Sequence, residues 1–209
     1  MIGELEKRWQ HTADTLAVSP EMSRDLFAEI VKRHSERHRH YHGLAHLKAL
    51  FDVLQPVWTE LVEPVRIELA IWYHDIIYRP LRSDNEAKSA ALAEKRLSAA
   101  GIAPDLIERV GTLIRATAQH QSGGRDRDDA FFLDADFSIL GAPADIYNAY
   151  LAAVRKEYRL VPAPIFRAGR TKFLRHALAQ DRIFQTGYFE DTYGAQARDN
   201  MVRELAAIE

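Results

Sequence analysis

The segment VRIELAIWYHDIIY, residues 65–78, constrains this chain more than any other stretch. Nearly every position is apolar, so the segment has to run through a packed interior. His74 and Asp75 sit inside it. At helical spacing Ile67, Ala70, Ile71 and Ile77 share the face of His74, and Ile71, Trp72 and Tyr78 border Asp75. Burying an ionised carboxylate there is costly unless something positive meets it. Arg79 is the one nearby cation. Either His74 and Asp75 form a hydrogen-bonded pair at a helix end, or a metal ion joins them. Aspartate and neutral imidazole are good ligands for a divalent cation.

The rest of the chain predicts an all-α fold. Alternating Val-Ile-Thr runs are missing, and Ala, Leu, Glu, Arg and Lys dominate. Helices are expected over 2–17, from Ser19-Pro20 to 36, over 43–56 up to Pro56, and from Pro64 through His74 and Asp75. Further helices are expected from Ser83 to Gly101, from Pro104 to about His120, over 130–140, from Pro143, over 165–183 and over 190–208. RHRHYHG reads as a histidine-rich connector and QSGGRDRDD (121–129) as a loop. The candidate ligands lie on both sides of that loop, so residues 1–209 are expected to form one compact helical domain.

Composition removes several function classes. A net charge of −2 leaves no basic field for nucleic acid or an anionic membrane. There is no cysteine, which excludes disulfides, thiolate catalysis and Cys-based metal sites. The segment MIGELEKRWQ has no apolar core, and no apolar run reaches membrane-spanning length. The expectation is a cytoplasmic protein.

Five of the nine histidines fall between positions 34 and 46. His34, His38 and His40 lie among Arg, Lys and Glu and read as a solvated face. His46 differs, because it shares a helical face with Leu50 and Val53. In DAFFLDADFSILGAP, Phe132, Leu133, Asp136, Phe137 and Leu140 form one apolar stripe, so Asp136 points inward and Asp134 to the opposite side. Three helices therefore each aim a ligand-type group inward: His46, His74 with Asp75, and Asp136. A shared two-His, two-Asp metal site is the simplest account.

The order His … His-Asp … Asp on a helical chain resembles the HD-domain superfamily of metal-dependent phosphohydrolases. The phrases YHGLAHL, YHDIIY, NEAKSA, LDADFSILG and ARDNMVREL look like a group of short bacterial proteins described as predicted HD-superfamily phosphohydrolases. The resemblance implies an HD-type helical bundle with divalent-metal ligands at His46, His74, Asp75 and Asp136. It also implies hydrolysis of a phosphate ester, usually of a nucleotide. Mn²⁺, Fe²⁺, Mg²⁺, Zn²⁺, Co²⁺ and Ni²⁺ all suit four N/O ligands. Asp75 would then bridge the ion and the attacking water. Arg79 and Lys88 are the first candidates for contacts to the phosphate. Glu86 is either a general acid or base, or part of a Ser83-x-x-Glu86 capping box. His42 and His120 are candidates for substrate contact or a second metal. Arg170, Lys172, Arg175 and His176 read as solvated charge. Tyr41, Trp72 and Tyr78 either wall the pocket or pack the core. A non-catalytic metal- or nucleotide-binding regulatory domain, and a purely structural helical module, are the competing readings.

Overall fold

In the computed structural model, which describes residues 1–118 and 126–208, every regular element among the described residues is helical. The α-helices run α1 Ile2–Thr15, α2 Pro20–His34, α3 Leu44–Leu54, α4 Pro64–Tyr73, α5 Asn85–Ala99 and α6 Pro104–Ala116. They continue as α7 Arg127–Phe137, α8 Ala144–Glu157, α9 Ala163–Leu178, α10 Gly187–Phe189 and α11 Ala195–Ile208. Short 3₁₀ turns follow α3 (Gln55–Glu60) and α7 (Ser138–Gly141), and a π turn (Glu190–Gly194) joins α10 to α11. No helix among them is long and apolar enough to cross a membrane.

α4 is the hub. Arg66 to Tyr73 are all buried, as its unbroken apolar sequence requires. α1, α3, α5, α6 and α7 pack around it. Trp72 fills the centre, edge-on to Trp9 at 5.7 Å. Polar contacts tie the start of α7 to the start of α4. Asp128 accepts from the Val62 and Glu63 amides at 3.0 and 2.7 Å, and Arg66 pairs with Asp126 and Asp129. α11 is pinned by Asn200, whose amide donates to the Leu140 and Ala142 carbonyls, each at 2.8 Å. Gly141 lets this region close up: a Cβ there would sit 2.5 Å from the Tyr193 carbonyl.

Several expected boundaries move. α4 stops at Tyr73, so His74 is its C-cap and Asp75 lies in the following turn. α3 ends at Leu54, two residues before Pro56, and the proline lies in the first turn of the 3₁₀ segment Gln55–Glu60. Residues 127–129 belong to α7, not to a loop, because Asp126 caps the helix through the Asp128 amide. Residues 119–125, with His120, lie outside the described residues. Ser83 caps nothing: α5 begins at Asn85 after Asp84, without a side-chain cap.

His34 is buried, at 3% exposure, and so is not part of a solvated face. Its Nδ1 donates to the Ile30 carbonyl at 3.0 Å. Burial, with Arg39 nearby, pushes its pKa from 6.5 down to about 3. Below pH 6.5 the unfolded chain takes up a proton that the folded chain refuses, so stability falls as pH drops from 6.5 towards 3. The slope His34 contributes is up to about 1.4 kcal/mol per pH unit. Urea midpoints measured at pH 7, 6 and 5 are expected to fall less steeply for His34→Asn than for wild type. Equal slopes would refute this assignment.

Candidate metal centre

Each ligand-type group is set by a specific backbone feature. α3 turns His46 inward with Leu47, Leu50 and Leu54. His74 ends α4, where its ring Nδ1 donates to the Ile71 carbonyl at 3.1 Å. The turn beyond it is clamped by the buried Arg39, which donates to the Asp75 carbonyl at 2.7 Å, the Ile76 carbonyl at 3.0 Å and the His42 carbonyl at 2.9 Å. A guanidinium at this position also meets the negative end of the α4 dipole. Asp136 lies in the last turn of α7. Phe132 packs edge-on to the His74 ring at 5.6 Å.

His46 Nε2 lies 3.2 Å from His74 Nε2 and 3.2 Å from Asp136 Oδ1. His74 Nε2 lies 3.3 Å from Asp75 Oδ2. The cross distances, His46 to Asp75 and His74 to Asp136, are both 3.8 Å. Ligand bonds of about 2.1 Å place neighbouring donors roughly 3.0–3.4 Å apart around one ion. His46, His74 and Asp136, with ligand atoms all within 4.8 Å of one another, can hold a metal ion.

Proton positions support that fit. The Nδ1–H of His74 is committed to Ile71, so neutral His74 turns a lone pair towards His46 and both carboxylates. With no cation present, a proton must resolve the clash. Burial favours neutral His74, but Asp75 and Asp136 outweigh it and raise the pKa to about 9. Burial likewise opposes ionisation of Asp75, yet the His74 charge beside it holds that carboxyl well below the usual range. Both shifts express one demand for positive charge, which a divalent cation meets.

A cleft of about 260 Å³ opens at the centre, lined in part by Tyr41, His42, Tyr78, Asn85 and Glu86. His42 stacks on Tyr78 at 4.2 Å, with its Nδ1 2.7 Å from Glu157 Oε2. Burial lowers the His42 pKa, but the Glu157 hydrogen bond and the nearby carboxylates raise it overall. Glu157 accepts from three consecutive amides, His40, Tyr41 and His42, at 2.7, 2.7 and 3.0 Å, and from the Tyr78 hydroxyl at 2.8 Å. Burial opposes its ionisation, but His42 and these amides pull its pKa down to about 2.

The other sequence candidates divide. Glu86 lines the cleft. Arg79 lies at the surface beside His38 and Glu36, and Lys88 pairs with Asp84 at 3.0 Å. Neither lines the cleft: Asn85 bonds both the amide and the carbonyl of Arg79 in the loop before α5, and Lys88 on α5 is turned to Asp84. Arg82 and Arg170 line it instead, Arg82 held by Asp84 and Arg170 by Glu204. Arg170 is therefore not simply solvated charge. Tyr41 and Tyr78 wall the cleft, whereas Trp72 is in the core. Sequence reasoning missed Arg39, Tyr150, Glu157 and Tyr158. The series Tyr147, Tyr150, Val154, Tyr158 recurs at helical spacing along α8 and was a readable signal for an inward face. Comparison with protein families, with curated proteins and with solved structures gives no match.

Proposed function

We propose that the chain is a metal-dependent phosphohydrolase with an HD-type fold over residues 1–209, acting on a nucleotide or related small phosphate ester. The supporting observation is the convergence of His46, His74, Asp75 and Asp136 from separate segments beside an open cleft. These four residues would hold the ion. A bound divalent ion supplies a Lewis acid for a phosphoryl oxygen and lowers the pKa of water from about 15.7 towards 7. With His74 neutral as a ligand, Asp75 would be kept ionised by the ion itself, and it accepts a hydrogen bond from the attacking water. The water oxygen bonds to phosphorus as its proton passes through Asp75 to solvent, the ester P–O bond breaks, and the departing alcohol oxygen takes a proton. Glu86 lies on the cleft wall as its donor. His42, with Nδ1 committed to Glu157, turns Nε2 to the substrate as a hydrogen-bonding partner.

The test is phosphate release from a panel of nucleotides and small aryl and alkyl phosphate esters by chelator-treated protein given Mn²⁺ or Co²⁺, with His74→Ala alongside. Release by wild type alone is expected. Equal release by both, or none by either, overturns the enzyme reading. A thermal melt separates binding from turnover. Added metal at 100 times its Kd is expected to stabilise the fold by about 2.7 kcal/mol. An unmoved melting curve, with no metal found by elemental analysis, points to a purely structural module.

A further inference from the structure

Next to the metal centre lies a second hollow, about 450 Å³, between α8 and α9. It shares His42, Tyr150, Tyr158, Arg170 and Phe173 with the cleft, so the two lie side by side. Beyond that shared wall its lining is Val154, Val161, Ile165, Phe166 and Gly169. These side chains offer no amide, carboxylate or amine. The one strong cation at the boundary is spent within the protein: Arg170 donates to Glu204 at 2.7 and 3.0 Å and to the Tyr150 hydroxyl at 3.2 Å. Its flat face lies over Phe173 at 4.8 Å.

Gly169 is the second observation. It sits in the middle of α9, where glycine costs roughly 0.5–1 kcal/mol relative to alanine. No close packing demands it, since a Cβ built there meets nothing within 4 Å. What the missing side chain leaves open is the hollow itself.

We infer that this hollow holds the organic part of the substrate, and that this part is an apolar group, aryl or branched alkyl, in place of a base or sugar. The inference rests on the phosphohydrolase reading above and narrows its substrate class. A nucleobase carries several donors and acceptors along its edge. Setting them against the half-buried Val154, Val161 and Phe166 replaces water with side chains that offer no partner, which costs affinity. An apolar ring loses nothing there and gains from leaving water. The volume falls in the range of small-ligand sites.

Benzyl phosphate, ethyl phosphate and adenosine 5′-monophosphate test this, because all three are esters of primary alcohols. With metal-loaded protein, kcat/KM for benzyl phosphate is expected to exceed that of the other two by about tenfold or more. Gly169→Leu fills the hollow and is expected to bring the benzyl-to-ethyl ratio near one. Equal rates for benzyl and ethyl, a preference for the nucleotide, or an unchanged ratio in Gly169→Leu overturns the inference. If no ester is turned over, the phosphohydrolase reading fails separately, and calorimetry with benzylphosphonate and ethylphosphonate decides the hollow. Tighter binding of the benzyl compound, lost in Gly169→Leu, supports it; equal binding overturns it.

Discussion

On the proposed reading, Asp136→Ala is expected to abolish metal binding and to lower phosphate release on the order of 10³-fold or more. Asp134→Ala, two residues away, is expected to keep the metal and to weaken the fold. The two aspartates share a helix but have different partners. Asp136 Oδ1 faces His46 and His74 at 3.2 and 3.8 Å. Removing it takes away one carboxylate from a set of two, and with the ion goes several kcal/mol of charge stabilisation. Asp134 is buried and accepts from the Gln185 amide at 2.8 Å, the Thr186 amide at 2.7 Å and the Thr186 hydroxyl at 2.7 Å. It fastens the turn that precedes α10. Losing those bonds is expected to cost about 3 kcal/mol of stability. Elemental analysis and denaturant unfolding of both variants check the contrast. Metal retained by Asp136→Ala would remove that residue from the ligand set.

Glu157→Gln is expected to destabilise the protein by about 3–5 kcal/mol, the largest stability effect predicted for a single replacement here. The carboxylate takes hydrogen bonds from three backbone amides, the His42 ring and the Tyr78 hydroxyl. An amide of the same shape carries no charge and turns an NH₂ towards donors. The pH dependence has a definite sign. The Glu157 pKa is lowered from 4.5 to about 2, so its contribution is complete above pH 4.5 and fades as pH falls towards 2. Wild type is expected to lose stability across that window, and Glu157→Gln much less. Unfolding curves at pH 5, 4 and 3 read this directly. His34 acts from pH 6.5 down to about 3, so its contribution is read alone above pH 4.5 and overlaps that of Glu157 below it.

Much of the helical architecture was legible because helical periodicity is a local property. Apolar spacing alone marked α4 as a buried helix and turned His46 and Asp136 inward. The exact end of α4 was not legible. It depends on Arg39 clamping the carbonyls of Asp75 and Ile76, a contact spanning 36 and 37 residues. His34 looked solvated because its neighbours in sequence are charged, yet a helix places those neighbours on other faces. Arg79 and Lys88 looked close to the site because they follow His74 in sequence. Asn85 holds both polar groups of the Arg79 backbone in the loop before α5, and Lys88 is turned to Asp84. Glu157 was invisible for a related reason: the amides it gathers belong to a connector more than 100 residues away, as its 115-residue separation from His42 shows.

That same separation orders events during synthesis. His46, His74 and Asp136 can approach one another while the C-terminal third of the chain is still unstructured, but the His40–His42 strand of backbone has nothing to grip until α8 arrives. Closing so long a loop is slow relative to forming local helices. On the proposed metal reading, a nascent chain presents His46, His74 and Asp136 before Glu157 can tie the cavity wall together.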